Sequence, residues 1–147
     1  MRRSACLRFS SRCLVLGFLP VLAFSTGCGN GLARLEGQVS LDGEPLRAVD
    51  DIRGTVMFQP VGEGAIATAK VDESGRYTVN TGSKHGIMPG DYRVMVKAVR
   101  IIPPKDQYSM PSSSMITPAK FAKPDQSNLT VSVEPGSNEY DIAITAK

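Results

Sequence analysis

Leu35-Glu36-Gly37-Gln38-Val39-Ser40-Leu41-Asp42-Gly43-Glu44-Pro45-Leu46 is the stretch that decides the fold. Leu35, Gly37, Val39 and Leu41 alternate with Glu36, Gln38 and Ser40, a period of two that gives a strand one buried face and one wet face. Asp42-Gly43 is a turn signal, and Pro45 blocks continuation of the same strand.

The same grammar recurs down the chain. Thr55 to Gln59 is a β-rich run ending at Pro60, and Ala65 to Val71 is a third candidate strand. Glu73-Ser74-Gly75 turns the chain into Arg76 to Asn80, with Asp72 and Gly75 framing a tight hairpin in which the glycine supplies a positive φ. After Pro89-Gly90, Tyr92, Val94, Val96 and Ala98 alternate with Arg93, Met95, Lys97 and Val99. Leu129, Val131 and Val133 follow, then Pro135-Gly136, then Tyr140, Ile142 and Ile144. Seven short strands separated by turn residues predict an antiparallel β-sandwich. Its expected core holds Val39, Val56, Phe58, Tyr77, Val94, Val96, Val131, Tyr140 and Ile142. Residues 100–127 break the rhythm. Pro103, Pro104, Pro111, Pro118, Pro124 and the serines at 112, 113 and 114 predict one long irregular loop, the natural place for sequence-specific contacts.

The N-terminus has a different logic. Arg2, Arg3, Arg8 and Arg12 precede an apolar run from Cys13 to Phe24, followed by Ser25, Thr26, Gly27 and Cys28. A basic start, a short apolar segment and a small-residue exit make up a secretory signal peptide. The run is shorter than the roughly 20 apolar residues of a membrane-spanning helix, and Pro20 interrupts it. A cysteine directly after that exit resembles the bacterial lipobox, in which the thiol is acylated and becomes the mature N-terminus. Thr26, Gly27 and Cys28 fit, while Ser25 departs from the usual leucine. The expected organisation is a signal peptide over 1–27, a lipidated tether over 28–33 and a β-sandwich over 34–147. Lipidation at Cys28, palmitate included, would anchor an exported protein to the membrane of the cell envelope, facing periplasm or exterior.

Charge and cysteines agree with that organisation. Four of the 17 Lys and Arg residues and none of the 14 acids precede Cys28, so the net charge of +3 becomes −1 in the remainder. A near-neutral domain without a basic cluster has no electrostatic footprint for nucleic acid. Cys6 and Cys13 leave with the signal and Cys28 carries lipid, so no thiol remains for a disulfide. The 119 residues after Cys28 suffice for one domain held by its core alone.

Several of these stretches together resemble a known family. Leu35 to Leu46, with Val56-Met57-Phe58, is similar to the opening of carboxypeptidase regulatory-like (transthyretin-like) domains. Val71-Asp72-Glu73-Ser74-Gly75-Arg76-Tyr77 and Gly86-Ile87-Met88-Pro89-Gly90-Asp91-Tyr92-Arg93-Val94 are further matches. Pro118-Ala119-Lys120-Phe121, Leu129 to Val133, Gly136, Asn138 and Tyr140 resemble the ending of short planctomycete lipoproteins. The resemblance implies a prealbumin/Ig-like sandwich on an envelope lipoprotein and supplies no catalytic residue.

The chemistry-bearing residues point the same way. His85 is the single histidine and lies in Gly82-Ser83-Lys84-His85-Gly86, a hairpin-like loop without a nucleophile elbow. Purine-pathway hydrolases of the transthyretin-like group use more than one histidine and end Tyr-Arg-Gly-Ser; this sequence ends Ala146-Lys147. Isopeptide-forming adhesin domains need a lysine on the first strand, where this chain offers Arg34. Asp72, Glu73 and Ser74 lack the spacing and terminal glutamate of a calcium loop. Met57, Met88, Met95, Met110 and Met115 are too scattered for a soft-metal site and read as core filling and loop packing. Asn128-Leu129-Thr130 is a coincidental sequon. Lys120, Lys123 and Arg100 read as a solvated face. The expectation is a non-catalytic interaction or structural module with no cofactor or metal, meeting the membrane through its lipid and an envelope protein or polysaccharide through its edges and loop. The alternative is a small-molecule or glycan-binding accessory lipoprotein with a pocket, although few aromatic rings remain for sugar stacking once the core is filled.

Overall fold

The computed structural model describes residues 31–146; the expected signal peptide and Cys28 lie outside the described residues. The described residues are all-β, and the one helical element among them is a 3₁₀ turn at Ala119–Ala122. The smaller sheet is built around β1 (Arg34–Leu41). The larger one runs through β3 (Ile52–Pro60), β4 (Ala67–Lys70), β6 (Asn80–Thr81), β7 (Lys84–His85), β8 (Gly90–Ile102), β9 (Ser112–Met115) and β10 (Leu129–Val133). β8 is the spine of the larger sheet. It pairs with β3 along nearly its whole length, and on its other edge with β10 at one end and β9 at the other.

β1 behaves as its alternation demands, with Leu35, Gly37 and Val39 buried. Asp42 and Gly43 both take positive φ, 53° and 89°, so the turn into β2 (Glu44–Pro45) has the backbone twist that two-residue hairpins favour. β5 (Arg76–Thr78) lies antiparallel on the same side of β1. On the opposite side β1 pairs in parallel with β11 (Ser137–Glu139) and β12 (Ile142–Ile144). The first and last strands of the domain are therefore zipped together, a parallel pairing where an all-antiparallel sandwich is expected. Alternation fixes which face of a strand is buried but carries no information about which strand lies beside it.

The two sheets close over a core in which Val39, Val56, Phe58, Tyr77, Val94, Val96 and Ile142 are buried, as the sequence predicts. Val131 and Tyr140 are only half-buried, because they pack on the rim of that core. Phe58 of the large sheet meets Tyr77 of the small one, ring centroids 6.0 Å apart and tilted 39°. Truncating a buried phenylalanine of this kind costs about 3–5 kcal/mol.

The expected loop over 100–127 is largely ordered. β8 continues to Ile102 and folds back through β9, leaving 103–111 as the irregular connection. Phe121 of the 3₁₀ turn plugs the core. Thr117 is buried in the gap between β9 and β10. Its hydroxyl accepts from Ala98 N at 3.0 Å and donates to Val96 O at 3.5 Å, satisfying the stretch of β8 edge that neither strand covers. The prolines and serines misled here because β9 is an exposed edge strand with no buried face to alternate.

Candidate functional site

Tyr77 organises the junction between the sheets. The strand from Arg76 to Thr81 belongs first to the small sheet as β5 and then to the large one as β6, with Val79 buried at the crossing. The Tyr77 hydroxyl donates to the carbonyl of Tyr140, which lies between β11 and β12. Arg34 faces Ser137 and Val39 faces Ile142, so one parallel register spans both strands. Tyr140 N donates to Glu36 O at 2.9 Å, but Tyr140 O turns to the phenol, and Gln38 N donates to Asp141 Oδ1 at 2.8 Å instead. The detour leaves no room for a side chain at Gly37, where a Cβ would stand 2.0 Å from Tyr140 O. Burial, then the nearby Tyr140 and Asp141, push the Tyr77 phenol well above its usual range.

Over this junction lies a cleft of about 630 Å³, lined among others by Glu36, Lys70, Arg76, Tyr77 and Glu139. Glu36 and Glu139 are neighbours across the ladder, and Arg34 pairs with Glu36 at 2.8 Å. Asp72 at its margin is committed to its own turn. Its Oδ1 accepts from Ser74 N, Ser74 Oγ and Arg76 N at 2.8, 2.7 and 2.9 Å. The Ser74 hydroxyl leads in holding that carboxyl below its usual value. The cleft thus offers hydrogen bonds and mixed charge, while its tyrosine is buried and gives no stacking face.

His85 is exposed, with Nδ1 2.8 Å from Asn80 Oδ1. That partner is an amide, not the carboxylate that orients the histidine of a hydrolytic triad. The nearby Thr81 hydroxyl is taken by Gly86 O at 2.8 Å. Among the described residues no group of three or more His, Cys, Asp or Glu is placed to share a metal ion.

The β8–β9 hairpin is the most prominent surface feature. Arg100, Ile101 and Ile102 pair with Ser114, Ser113 and Ser112, and Arg100 Nε lies 3.3 Å from Asp51. At the tip, Asp106 Oδ1 accepts from Tyr108 N, Ser109 N and Ser109 Oγ, each at 2.9 Å. A carboxylate bonding the backbone two and three residues on builds a fixed turn, and the Ser109 hydroxyl leads in lowering its pKa. That turn displays Tyr108 at 89% exposure and Met110 at 87%. The expectation that the methionines fill core and loops holds for buried Met95 and half-buried Met57. It fails for Met88, Met110 and Met115, which are exposed on turns and an edge strand with no second layer to cover them. Lys120 stacks over Phe121, 5.0 Å from the ring centroid. The signal for Tyr108 in the sequence is slight, a lone tyrosine two residues after an aspartate and directly before a serine.

No protein-family model matches the chain, and comparison with curated proteins finds no match. Among solved structures it is similar to a 9R-lipoxygenase from Cyanothece PCC8801, with TM-score 0.38 and 16% identity over 78% of this chain. It is also similar to a DUF3823 family protein from Parabacteroides merdae ATCC 43184, with TM-score 0.36 and 12% identity over 78% of this chain. The match spans 16% of the first protein's length and 46% of the second's. Neither likeness bears on function.

Proposed function

We propose that this chain is a lipid-anchored, non-catalytic β-sandwich module of the cell envelope, of carboxypeptidase regulatory-like type. It is tethered through Cys28 and engages an envelope protein or polysaccharide through the β8–β9 hairpin. The observation that supports this reading is the tip itself. Tyr108 and Met110 stand almost fully in solvent on a turn tied by three hydrogen bonds that Asp106 accepts. Apolar side chains held rigidly outward lose little entropy on binding, and tyrosine is a favoured anchor at interfaces. The polar cleft over Tyr77 is the observation on the side of a small-molecule or glycan pocket; the missing stacking face weighs against it.

The test is in vivo photocrosslinking from position 108, with position 83 in the β6–β7 turn as control. A discrete adduct from 108 that is absent from 83 and lost in Met110→Asp supports the module. Equal, diffuse labelling from both positions refutes it. The anchor has its own test: fatty-acid labelling and mass spectrometry of the N-terminal peptide, with Cys28→Ala expected to leave the membrane fraction. An unmodified Cys28 in the wild-type envelope protein refutes lipidation.

A further inference from the structure

The geometry points to a membrane-contact face at the end of the sandwich where the tether enters, made by Val61, Ile66 and Met88. This inference rests on the lipid anchor proposed above and adds the surface that the anchored domain lays on the bilayer.

Single exposed apolar residues need no explanation; these three share one end. Pro60 of β3 faces Tyr92 of β8, and Val61 N donates to Asp91 O at 2.9 Å. Ile66 closes the same β3–β4 connection, next to Ala67, which faces Phe58. Met88 joins β7 to β8, and its carbonyl accepts from the Tyr92 hydroxyl at 2.8 Å. Val61, Ile66 and Met88 are 57%, 52% and 55% exposed. The chain enters the domain at this end. Ala33 and Ile87 exchange backbone hydrogen bonds at 2.7 and 2.9 Å, and Ile87 directly precedes Met88.

Four residues separate Cys28 from Ala33. At about 3.5 Å per residue they reach at most roughly 18 Å, so acyl chains on Cys28 keep this end at the headgroup layer. The other apolar tip, at Tyr108 and Met110, lies beyond the far end of β8. That strand has 13 residues, a span of about 40 Å, so a sandwich standing on its tether end holds the second tip well clear of the bilayer. The charges around the tether end are mixed: Lys84 among Glu63, Asp91 and Glu134, with Arg93 paired to Asp125 at 3.2 Å. Contact is therefore apolar insertion into the interface, independent of anionic lipid, and it turns the Tyr108 hairpin away from the membrane.

The experiment uses the processed full chain, its Cys28 modification read by mass spectrometry, in phosphatidylcholine vesicles containing brominated phosphatidylcholine. A fluorophore is placed at Gly62→Cys, where a Cβ meets no atom within 4 Å, or at Tyr108→Cys. Bromolipid is expected to quench the probe at 62 at least threefold more than the probe at 108. The quenching should be unchanged when phosphatidylglycerol is added. Val61→Asp/Met88→Asp should abolish quenching at 62 without releasing the protein from the vesicles. Equal quenching at the two positions, or stronger quenching at 108, overturns the face while leaving the anchor intact. So does a probe at 62 shielded from aqueous iodide but not quenched by bromolipid, which would assign the patch to a second copy of the chain. An unmodified Cys28 in the mass spectrum overturns the anchor and the face together.

Discussion

Replacing Gly37 with alanine is the most searching single perturbation of this fold. The new Cβ would lie 2.0 Å from Tyr140 O, 2.6 Å from Tyr140 C and 3.1 Å from the Tyr77 hydroxyl. The two closest atoms are backbone, so no side chain can swing aside; the parallel ladder must open by about 1 Å or more. That movement disrupts three hydrogen bonds: Tyr77 to Tyr140 O, Tyr140 N to Glu36 O, and Gln38 N to Asp141. Each contributes about 0.5–1.5 kcal/mol net, and more where a buried group is left unpaired. The expected destabilisation is about 3 kcal/mol, read from urea unfolding with the slope held common. Tyr77→Phe removes a single donor and should cost about 1–2 kcal/mol. In the Gly37→Ala background the same change should cost markedly less, because its hydrogen bond is already broken. A Gly37→Ala protein within about 0.5 kcal/mol of the parent, or additive costs in the double variant, would refute the account of the junction.

Thr117→Val should lose about 1–3 kcal/mol, because Ala98 N is left without its partner in a buried position; unchanged thermal unfolding would contradict this. Asp72 titrates below its usual 3.8 in the folded protein, so its contribution is present above that pH and fades as pH falls through the lowered value. Asp72→Asn should flatten the acid limb of a stability–pH curve measured below about pH 4. Tyr77, Tyr92 and Tyr140 are all raised above 10.0 by burial. Their contribution is therefore present below pH 10 and lost above it, and phenolate absorbance should rise together with unfolding. His85→Ala should leave envelope function and stability unchanged, and a functional loss in a folded His85→Ala protein would revive a catalytic reading.

What the sequence disclosed about this fold was local. Period-two alternation located β1, β8 and the last strands, a β-rich run located β3, and Asp42-Gly43 and Asp72 to Gly75 announced their turns. Pairing was not legible, since nothing in Arg34 to Leu41 says that Ser137 to Ile144 will lie beside it. The strand from Arg76 was expected as one element and divides at Val79, because it changes sheets without changing its alternation. β9 was hidden by its serines. Of the surface features, the neighbourhood of the hairpin was readable, whereas the display of Tyr108 depends on the Asp106 turn and the gathering of Val61, Ile66 and Met88 on register between distant strands. Phe121 stands in Pro118-Ala119-Lys120-Phe121, and its role as a core plug follows only from the path of the chain around it.

The pairing of β1 with β11 and β12 also bears on when the domain can come into being. A chain made N-terminus first presents β1 early, yet the strands that complete its sheet follow about a hundred residues later. Until Ile144 has emerged, one edge of β1 stays open and the core beneath Val39 lacks Ile142 and Ile144. Closure between the two extremes of a chain is slow compared with local hairpin formation. The finished sheet and the core beneath β1 thus depend on the strand that is made last among the described residues.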